Sequence, residues 1–477
     1  RRPERSATGS PVKPSLGAPT VLTDNSDGLP APQRYWALLT LVLAIVMSVL
    51  DGTMVSVALP TIARELGVSP ASAVWVVNAY QLAVISTLLP LSSLGDTIGY
   101  RRISIGGLCL FIVASLLSAQ AESLGTLAAA RFLQGLGAAG IMSVNAALVR
   151  FIYPQRMLGR GIGIIALAVS VSAAAGPTVA AGILSLADWH WLFAINVPVG
   201  LLALAIALPS LPVTRRSPHP FDIPSAVLNA LAFGLVISGI DRIGHVGFSL
   251  SVGLQIGLGL VLGGLLVRRQ FGLPSPLLPV DLLRIPVFAL SVATSTCSFM
   301  AQMLAFVSLP FFLHDVLGYS AVETGLLITP WPLMVGAAAP IAGRLADRYP
   351  VGILSSAGLA VLALGLLLLA LLPGEPTPAD LAWRMAICGL GFGFFQSPNN
   401  RAIMNSAPRS RSGGASGMLG TARLTGQTLG AVLVALIFGI SAESGARIAL
   451  LLGTGLAAVA AAVSSMRLLA PSPGADQ

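Results

Sequence analysis

The sequence predicts an all-α integral membrane protein that crosses the bilayer fourteen times. The chain is 55% hydrophobic and only 9% charged, and its mean hydropathy is +0.86. Soluble globular proteins usually contain about 25% charged residues, so the composition excludes that class. Fourteen apolar segments follow a polar start, and each is long enough to span a hydrocarbon core of about 30 Å. The segments lie at about 37–60, 73–94, 103–121, 124–149, 159–184, 191–211, 222–244, 249–267, 286–312, 322–343, 352–372, 381–404, 413–440 and 446–467.

The distribution of lysine and arginine supports this number of helices. With the N-terminus in the cytoplasm, 21 of the 27 basic residues fall on the cytoplasmic side and four fall outside, while Arg131 and Arg423 lie within helices. Basic residues concentrate in cytoplasmic loops, and removing one helix would reverse every later loop. We therefore expect a multi-pass protein of the cell inner membrane with both termini in the cytoplasm. The net charge of +9 then reflects basic residues in the cytoplasmic loops and does not indicate a nucleic-acid-binding surface.

A repeated motif divides the chain into two halves. LGDTIGYRR follows the second predicted helix, and GRLADRYP follows the tenth. The domain organisation that we expect is a six-helix bundle at 35–211, a two-helix insert at 212–285 and a second six-helix bundle at 286–467. A disordered cytoplasmic tail at 1–34 and a short tail at 468–477 complete it. Duplicated halves of this kind hold the substrate near the bilayer midplane, whereas the role of the insert stays open.

The first helix contains one acid, Asp51, well inside its apolar run. An ionised carboxylate at that depth costs at least ~2.5 kcal/mol, which favours a bound proton or cation. At 1.5 Å per residue, Asp51 on helix 1 and Arg131 on helix 4 lie about 21 and 20 Å from the inner edge of the hydrocarbon. The two residues are therefore level in the membrane. The family resemblance given below implies that helices 1 and 4 both line the central cavity, so we expect the two side chains to interact directly or through one water, with Gln134 holding the other donors of Arg131. A permanent structural ion pair is the alternative.

Several functional classes lack the residues that they need. The three cysteines lie in separate apolar segments and the four histidines are scattered, so neither a metal site nor a disulfide framework is expected. The single lysine, Lys13, lies in the N-terminal tail, which excludes a phosphate-binding loop with its lysine. No cluster of His, Asp and Ser forms a catalytic constellation. We expect no cofactor, no metal, no use of ATP and no enzyme activity.

Five stretches carry a family resemblance that covers about residues 35 to 467. They are LDGTMVSVALP around Asp51, RFLQGLGAA at 131–139, AGPTVAAG at 175–182, WHWLFAINVPVG at 189–200 and QSPNNRAIMNSAPRSRSGGASGMLGTARLTGQTLG at 396–430. The chain resembles the major facilitator superfamily, in particular its fourteen-helix drug:proton antiporters, the methyl viologen and quaternary ammonium exporters of the SmvA and QacA type. The resemblance implies the major facilitator fold with six, two and six helices. It also implies proton-coupled export of lipophilic cations, including quaternary ammonium compounds, viologens, biguanides and dyes, with Asp51 as a proton or cation site.

The resemblance also implies roles for other residues. The cytoplasmic loop motifs are conformational latches, formed by Asp96, Arg101, Arg102, Asp347 and Arg348. Gly176 and Pro177 form the antiporter motif of helix 5, which either kinks the helix or gives it a packed glycine surface. His190 stands where an arginine is usual, and its role stays open. Polar, aromatic and sulfur-containing side chains are candidates for the substrate cavity: Trp75, Tyr80, Asn145, Phe299, Met303, Glu323, Gln396, Asn399 and Arg423.

Other functions remain as alternatives. The same fold could export anionic or zwitterionic metabolites, because Arg131 and Arg423 could bind acids. A membrane-embedded enzyme would need a clustered catalytic constellation, and a sensor would usually have an added soluble domain. The sequence shows neither feature.

Overall fold

The chain folds into a bundle of long helices. The computed structural model describes residues 28–154, 157–214, 221–271, 273, 276, 278–346, 348–373, 376–408, 411–441 and 444–468. We number its fourteen long helices in chain order. They are α1 (Ala31–Glu65), α2 (Pro70–Ile98), α3 (Tyr100–Ser118), α4 (Leu124–Ile152), α5 (Leu158–Leu186), α6 (Trp191–Ser210), α7 (Ile223–Val246), α8 (Leu250–Gln270), α9 (Pro286–Phe311), α10 (Ala321–Leu345), α11 (Val351–Ala370), α12 (Pro378–Ser406), α13 (Ser412–Ile440) and α14 (Gly445–Met466).

The predicted all-α membrane architecture is confirmed. Within the described residues, thirteen helices are long and apolar enough to cross a membrane. The remaining one, α12, has 29 residues and is long enough, but it carries polar residues such as Arg384, Gln396 and Asn399. A helix of that length spans a hydrocarbon core even though its composition is less apolar.

The first helix begins earlier than the sequence predicts. Residues 31–34, assigned above to a disordered tail, form the first turn of α1, which starts with Pro32 among its first residues. Proline suits the start of a helix because the backbone N–H that it lacks has no partner there. The segment just before α1 is also fixed, because Leu29 is buried and its N–H donates to the carbonyl of Ile152 at 3.1 Å. Residues 1–27 and 469–477 of the predicted tails lie outside the described residues.

The two six-helix halves pack in the same way. In the first half α4 packs against α2 and α3, and α1 packs against α5 and α6. In the second half α12 packs against α10 and α11, and α9 packs against α13 and α14. Glycines allow the closest approach at corresponding places: a Cβ on Gly107 would lie 2.8 Å from the carbonyl oxygen of Gly137, and one on Gly358 would lie 2.8 Å from that of Gly391. Small residues at such crossings let membrane helices pack by close backbone contact.

The insert lies against the seam between the halves. Its helices α7 and α8 pair with each other, and α7 also contacts α2 of the first half and α13 of the second. Two polar contacts, one buried and one half-buried, hold α7 to α2. The amide of Asn229 donates to the carbonyl of Ser86 at 2.8 Å, and the indole N–H of Trp75 donates to Asp241 at 2.8 Å. Several leucines of α8 are exposed, which suits a helix that faces lipid.

The apolar cores show where the two halves meet. We call the end of the bundle where α1 begins the near end, and the end where α1 finishes the far end. At the far end one apolar cluster joins both halves, because it contains Met54 and Leu59 of α1 together with Leu304 and Leu309 of α9. At the near end the halves have separate clusters, one including Leu41 and the other including Phe288. A further cluster that contains Ile85 of α2 and Leu424 of α13 also joins the halves. The described conformation therefore joins the halves at the far end and along α2 and α13, and leaves separate cores at the near end.

Candidate functional site

The acid of α1 lies in a buried polar cluster in the first half. Asp51 is 0% exposed, and its carboxylate accepts hydrogen bonds from three side chains. Arg131 of α4 donates to Oδ2 and forms an ion pair, while Gln134 and Asn196 each donate to Oδ1 at 2.8 Å. The contact predicted between Asp51 and Arg131 is thus present and is direct. Three donors satisfy the buried carboxylate, as a charge without bulk water requires.

Further contacts fix the orientation of Arg131. Its Nη1 also donates to Oε1 of Gln134 at 2.6 Å, and its Nε donates to the carbonyl of Val76 at 3.1 Å. The guanidinium carbon lies 4.4 Å from the ring centroid of Tyr80 and 5.5 Å from that of Phe193. Such cation–π contacts strengthen when they are desolvated. The ion pair therefore connects α1 to α4 and lies directly against Tyr80 of α2.

A cavity lies between the two halves. It has a volume of about 210 Å³ and is lined by residues of α1, α2, α4 and α5 from the first half and of α9, α10, α12 and α13 from the second. Ser48 and Gly52 of α1 line it, whereas Asp51 does not. Tyr80 lines it too, and its hydroxyl donates to the carbonyl of Ser48 at 3.3 Å. Tyr80 therefore contacts the cavity and the buried ion pair at once.

The cavity wall is rich in aromatic and amide side chains. Phe299 and Phe392 meet edge to face at a centroid distance of 5.3 Å, and Phe306 meets Trp331 in the same way at 5.1 Å. Four glutamines also line it: Gln81, Gln302, Gln396 and Gln427. Among the described residues of the wall, Arg423 is the one that carries a full charge. A charged side chain at this depth costs about 2.5–3.5 kcal/mol, so ionisable residues within membrane helices usually serve a function.

The structure brings together many of the predicted residues. Asp51, Arg131 and Gln134 form the buried cluster. Five of the predicted cavity residues line the cavity, namely Tyr80, Phe299, Met303, Gln396 and Arg423. The placement follows from the packing of the halves, because these side chains face the seam between them.

Four predicted cavity residues do not line it. Trp75 points to α7, where its indole donates to Asp241. Asn145 is buried within the first half and is absent from the wall. Glu323 is exposed and caps the start of α10, where it accepts from the N–H and the hydroxyl of Ser320 at 2.8 Å. Asn399 is 0% exposed and binds the carbonyl of Ser291 and the side chain of Arg467 instead.

The loop after α2 is compact in this conformation. Asp96 is exposed and accepts a hydrogen bond from the hydroxyl of Tyr100, and Arg101 donates to the carbonyl of Leu208 at 2.5 Å. Gly99 between them has a φ of +101°, which side chains rarely adopt. The hydrogen bond between Tyr100 and Asp96 lies within the first half. Arg102 and Arg348 are exposed, and Asp347 lies outside the described residues.

The motif of the fifth helix packs tightly against α1 and α10. A Cβ on Gly176 would lie 1.9 Å from Oγ1 of Thr53, so only glycine fits there. A Cβ on Gly325 of α10 would lie 2.5 Å from the carbonyl oxygen of Pro177. Thr178 and Thr329 share a hydrogen bond at 2.9 Å in the same region. Of the two interpretations of this motif, the packed surface has direct structural support, and α5 continues through Pro177 without a break.

Sequence reasoning missed several residues of the site. Asn196 is a ligand of the Asp51 carboxylate, and Ser115 accepts from Gln134 at 2.9 Å. Asn196 is the only amide side chain in α6, so an isolated polar residue in an apolar helix was the available signal. The sequence analysis also assigned no role to Trp331 or Asp241. His190 stacks on Trp189 at 3.7 Å and bonds to Asp188 at 3.1 Å, away from the cavity.

The fold and the site define a membrane transporter with two bundled halves around a central cavity. The chain matches the model of the Major Facilitator Superfamily over residues 41–431. Because the match covers most of the chain, the protein belongs to that superfamily. It is therefore a transporter of small molecules and not an enzyme.

Relatives span nearly the whole chain. It is 55% identical over 449 residues to the uncharacterized transporter YebQ of Escherichia coli, covering 94% of this chain and 98% of YebQ. It is 31% identical over 411 residues to the multidrug efflux pump LfrA of Mycolicibacterium smegmatis, covering 85% of this chain and 81% of LfrA. It is 29% identical over 408 residues to the riboflavin transporter RibZ of Clostridioides difficile, covering 85% and 88%.

Solved structures share the fold. A POT family transporter in complex with a thioalcohol-conjugated peptide matches with a TM-score of 0.70 at 16% identity, covering 91% of this chain and 95% of that one. A bacterial homologue of the human lysosomal transporter Spinster, described as inward-facing and unoccupied, matches with a TM-score of 0.65 at 17% identity, covering 94% and 100%. At these identities the likeness establishes the fold alone.

Proposed function

We propose that this transporter is a proton-coupled antiporter that exports bulky aromatic compounds by alternating access. It works in the cell inner membrane with both termini in the cytoplasm. The observation that carries the proposal is the ion pair between Asp51 and Arg131, buried within membrane helices and in contact with a cavity residue, Tyr80. Ionisable pairs at such depth mark proton pathways in transporters.

Asp51 is the proton carrier in this mechanism. A proton on its carboxylate would neutralise the acid and weaken its attraction for Arg131. The ligands of Asp51 come from α4 and α6, so a change in its charge alters contacts between three helices of the first half. Tyr80 can transmit that change, because it lies on Arg131 and also forms part of the cavity wall.

The packing of the halves supports alternating access. The shared apolar cluster and the contact of Gly325 with Pro177 hold the far end closed. At the near end each half has its own apolar cluster, so neither of these two clusters holds the halves together there. With the N-terminus in the cytoplasm, this conformation is inward-facing. The opposite state opens the far end and closes the near end around the same cavity.

The latch residues belong to this cycle. We assign Asp96, Arg101 and Arg102, with Asp347 and Arg348 in the second half, to holding the near end closed in the outward-facing state. In the inward-facing state Asp96 is exposed and bonded only within its own half in the contacts described above. Release of the latch in this state agrees with the separate near-end cores.

The substrate class has two candidates. Lipophilic cations follow from the family resemblance, and the multidrug efflux pump LfrA is among the relatives. Acidic or zwitterionic aromatic compounds are the second candidate, because the charged residue of the wall is Arg423. In the described conformation Asp51 is already paired with Arg131 and does not line the cavity, so it offers no free carboxylate to a cation. The geometry therefore favours the second candidate.

Proteoliposomes with an imposed pH gradient test the coupling. The wild-type protein should accumulate an aromatic substrate against its gradient, and a protonophore should abolish the accumulation. Asp51→Asn should remain inserted and lose the uphill transport. Asp281→Asn is the matched control, because it removes an acid from an exposed ion pair with Arg411, and neither residue lines the cavity. Uphill transport by Asp51→Asn at the wild-type rate would show that Asp51 is not the coupling site.

A further inference from the structure

The cavity wall contains a cation without a protein counter-ion. Within the described part of the chain, Arg423 makes no hydrogen bond and no ion pair, and its Nε is buried without an acceptor. No described residue of the wall is an aspartate or a glutamate. The nearest membrane acid in the first half, Asp51, is paired with Arg131. The positive charge of Arg423 is therefore not neutralised by the protein around the cavity.

The wall also contains a second buried donor without an acceptor. Trp331 lines the cavity and is 1% exposed, and its indole N–H has no acceptor in the described structure. Indole and guanidinium groups donate only, so neither can satisfy the other. A ligand that supplies acceptors would satisfy both. Arg423 and Trp331 thus bring two buried donors without an acceptor to the same cavity.

The aromatic side chains define the other property of the ligand. Phe299 with Phe392 and Phe306 with Trp331 form two edge-to-face pairs that line the cavity from the second half. Aromatic faces and edges of this kind bind planar ring systems by stacking and edge contacts. Arg423 and Gln427 stand on α13 at i and i+4, so one face of that helix presents both polar groups to the cavity.

We propose that Arg423 anchors the acidic group of the substrate, and that the substrate is a planar aromatic compound carrying a carboxylate or a similar oxyanion. The guanidinium binds the acid through paired N–H donors, and the ring system lies between the aromatic pairs. The inference rests on the proposed transport function and names the substrate class of the same cavity. It replaces the expectation of a cationic substrate, since a cation would be repelled by Arg423 without an acid in the wall to compensate.

Binding of three matched probes tests the assignment. Anthracene-9-carboxylate, its methyl ester and the 9-anthracenylmethyl-trimethylammonium ion share one ring system and differ in charge. Equilibrium dialysis against the full-length protein in nanodiscs, at pH 7 and fixed ionic strength, gives their dissociation constants. We expect the carboxylate to bind at least tenfold more tightly than the ester or the cation. Arg423→Gln should remove that preference and leave the ester unchanged within about twofold.

Two further variants control for folding and for net charge. Arg423→Lys keeps the charge without the planar fork and should retain part of the preference, so it tests the inference even if Arg423→Gln fails to fold. Arg384→Gln removes a charge from α12 outside the cavity, where Arg384 lies over the ring of Trp383 at 4.8 Å, and should match the wild type. An unchanged preference in Arg423→Gln, tighter binding of the cation by the wild type, or no binding of the carboxylate would each overturn the inference.

The binding test does not use a proton gradient, so its outcome is separate from that of the transport test. A preference for the carboxylate that depends on Arg423, without proton-driven transport, would support the inference and refute the proposed coupling. Proton-driven transport of the cationic probe that is unaffected by Arg423→Gln would do the reverse.

Discussion

The ion pair between Asp51 and Arg131 allows a quantitative prediction. Asp51→Asn removes the negative charge and leaves Arg131 buried at 1% exposure without a counter-ion. Removing one partner of a buried pair usually costs about 3–5 kcal/mol. The Asn oxygen can still accept from Gln134 and Asn196, which now donate at 2.8 Å, so we expect the lower end of that range. The amide NH₂ would then face the guanidinium, and neither group could accept a hydrogen bond from the other.

The double variant Asp51→Asn with Arg131→Gln removes both charges at once. A single variant is costly because it leaves one buried charge without a counter-ion, and the double variant leaves none. We therefore expect the double variant to be more stable than Asp51→Asn alone, with a coupling free energy of about 2–3 kcal/mol, within the range for contacting residues. Both variants should fail to transport uphill.

The assay is a thermodynamic cycle of the four proteins. Denaturant unfolding in one detergent, followed by tryptophan fluorescence, gives each free energy, and transport in proteoliposomes is measured in parallel. Gln134→Leu is a useful reference, because it removes the hydrogen bonds of a neutral side chain to Asp51, Arg131 and Ser115 and leaves both charges in place. Additive effects of the two single variants would refute the coupled ion pair, and uphill transport by the double variant would refute its role in proton coupling.

Three other perturbations follow from the structure. Asp96→Asn should slow turnover and leave substrate affinity within a few-fold, as measured by initial rates and equilibrium binding; lost affinity at normal turnover would argue against a latch. Trp75→Phe removes the hydrogen bond to Asp241 and should cost about 1.5–3 kcal/mol of stability in denaturant unfolding, with no change in ligand affinity. Gly325→Ala places a Cβ 2.5 Å from the carbonyl oxygen of Pro177, which should disfavour the far-end-closed state by about 1–3 kcal/mol. Spin-label distances between α5 and α10 should then lengthen, and unchanged distances would contradict the assigned contact.

The sequence alone determined the architecture of this protein. The fourteen apolar segments predict helices whose bounds agree with the structure to within a few residues at most ends, because a bilayer requires about 20 apolar residues per crossing. The repeated loop motifs predict two halves, and the halves show the same helix pairing. The equal depth of Asp51 and Arg131 in the membrane followed from the rise per residue along two antiparallel helices. These results rest on local periodicity and length, which a sequence records directly.

Only the tertiary structure decided which polar side chains face the cavity. A helix surface has several faces, and composition does not show which one meets the other half. Gln396 and Asn399 lie three residues apart on α12, yet Gln396 lines the cavity and Asn399 binds Arg467 within the second half. Trp75 bonds to the insert for the same reason. The pairing of Asp51 and the unpaired state of Arg423 depend on long-range packing, and that difference determines the charge that the cavity presents to a ligand.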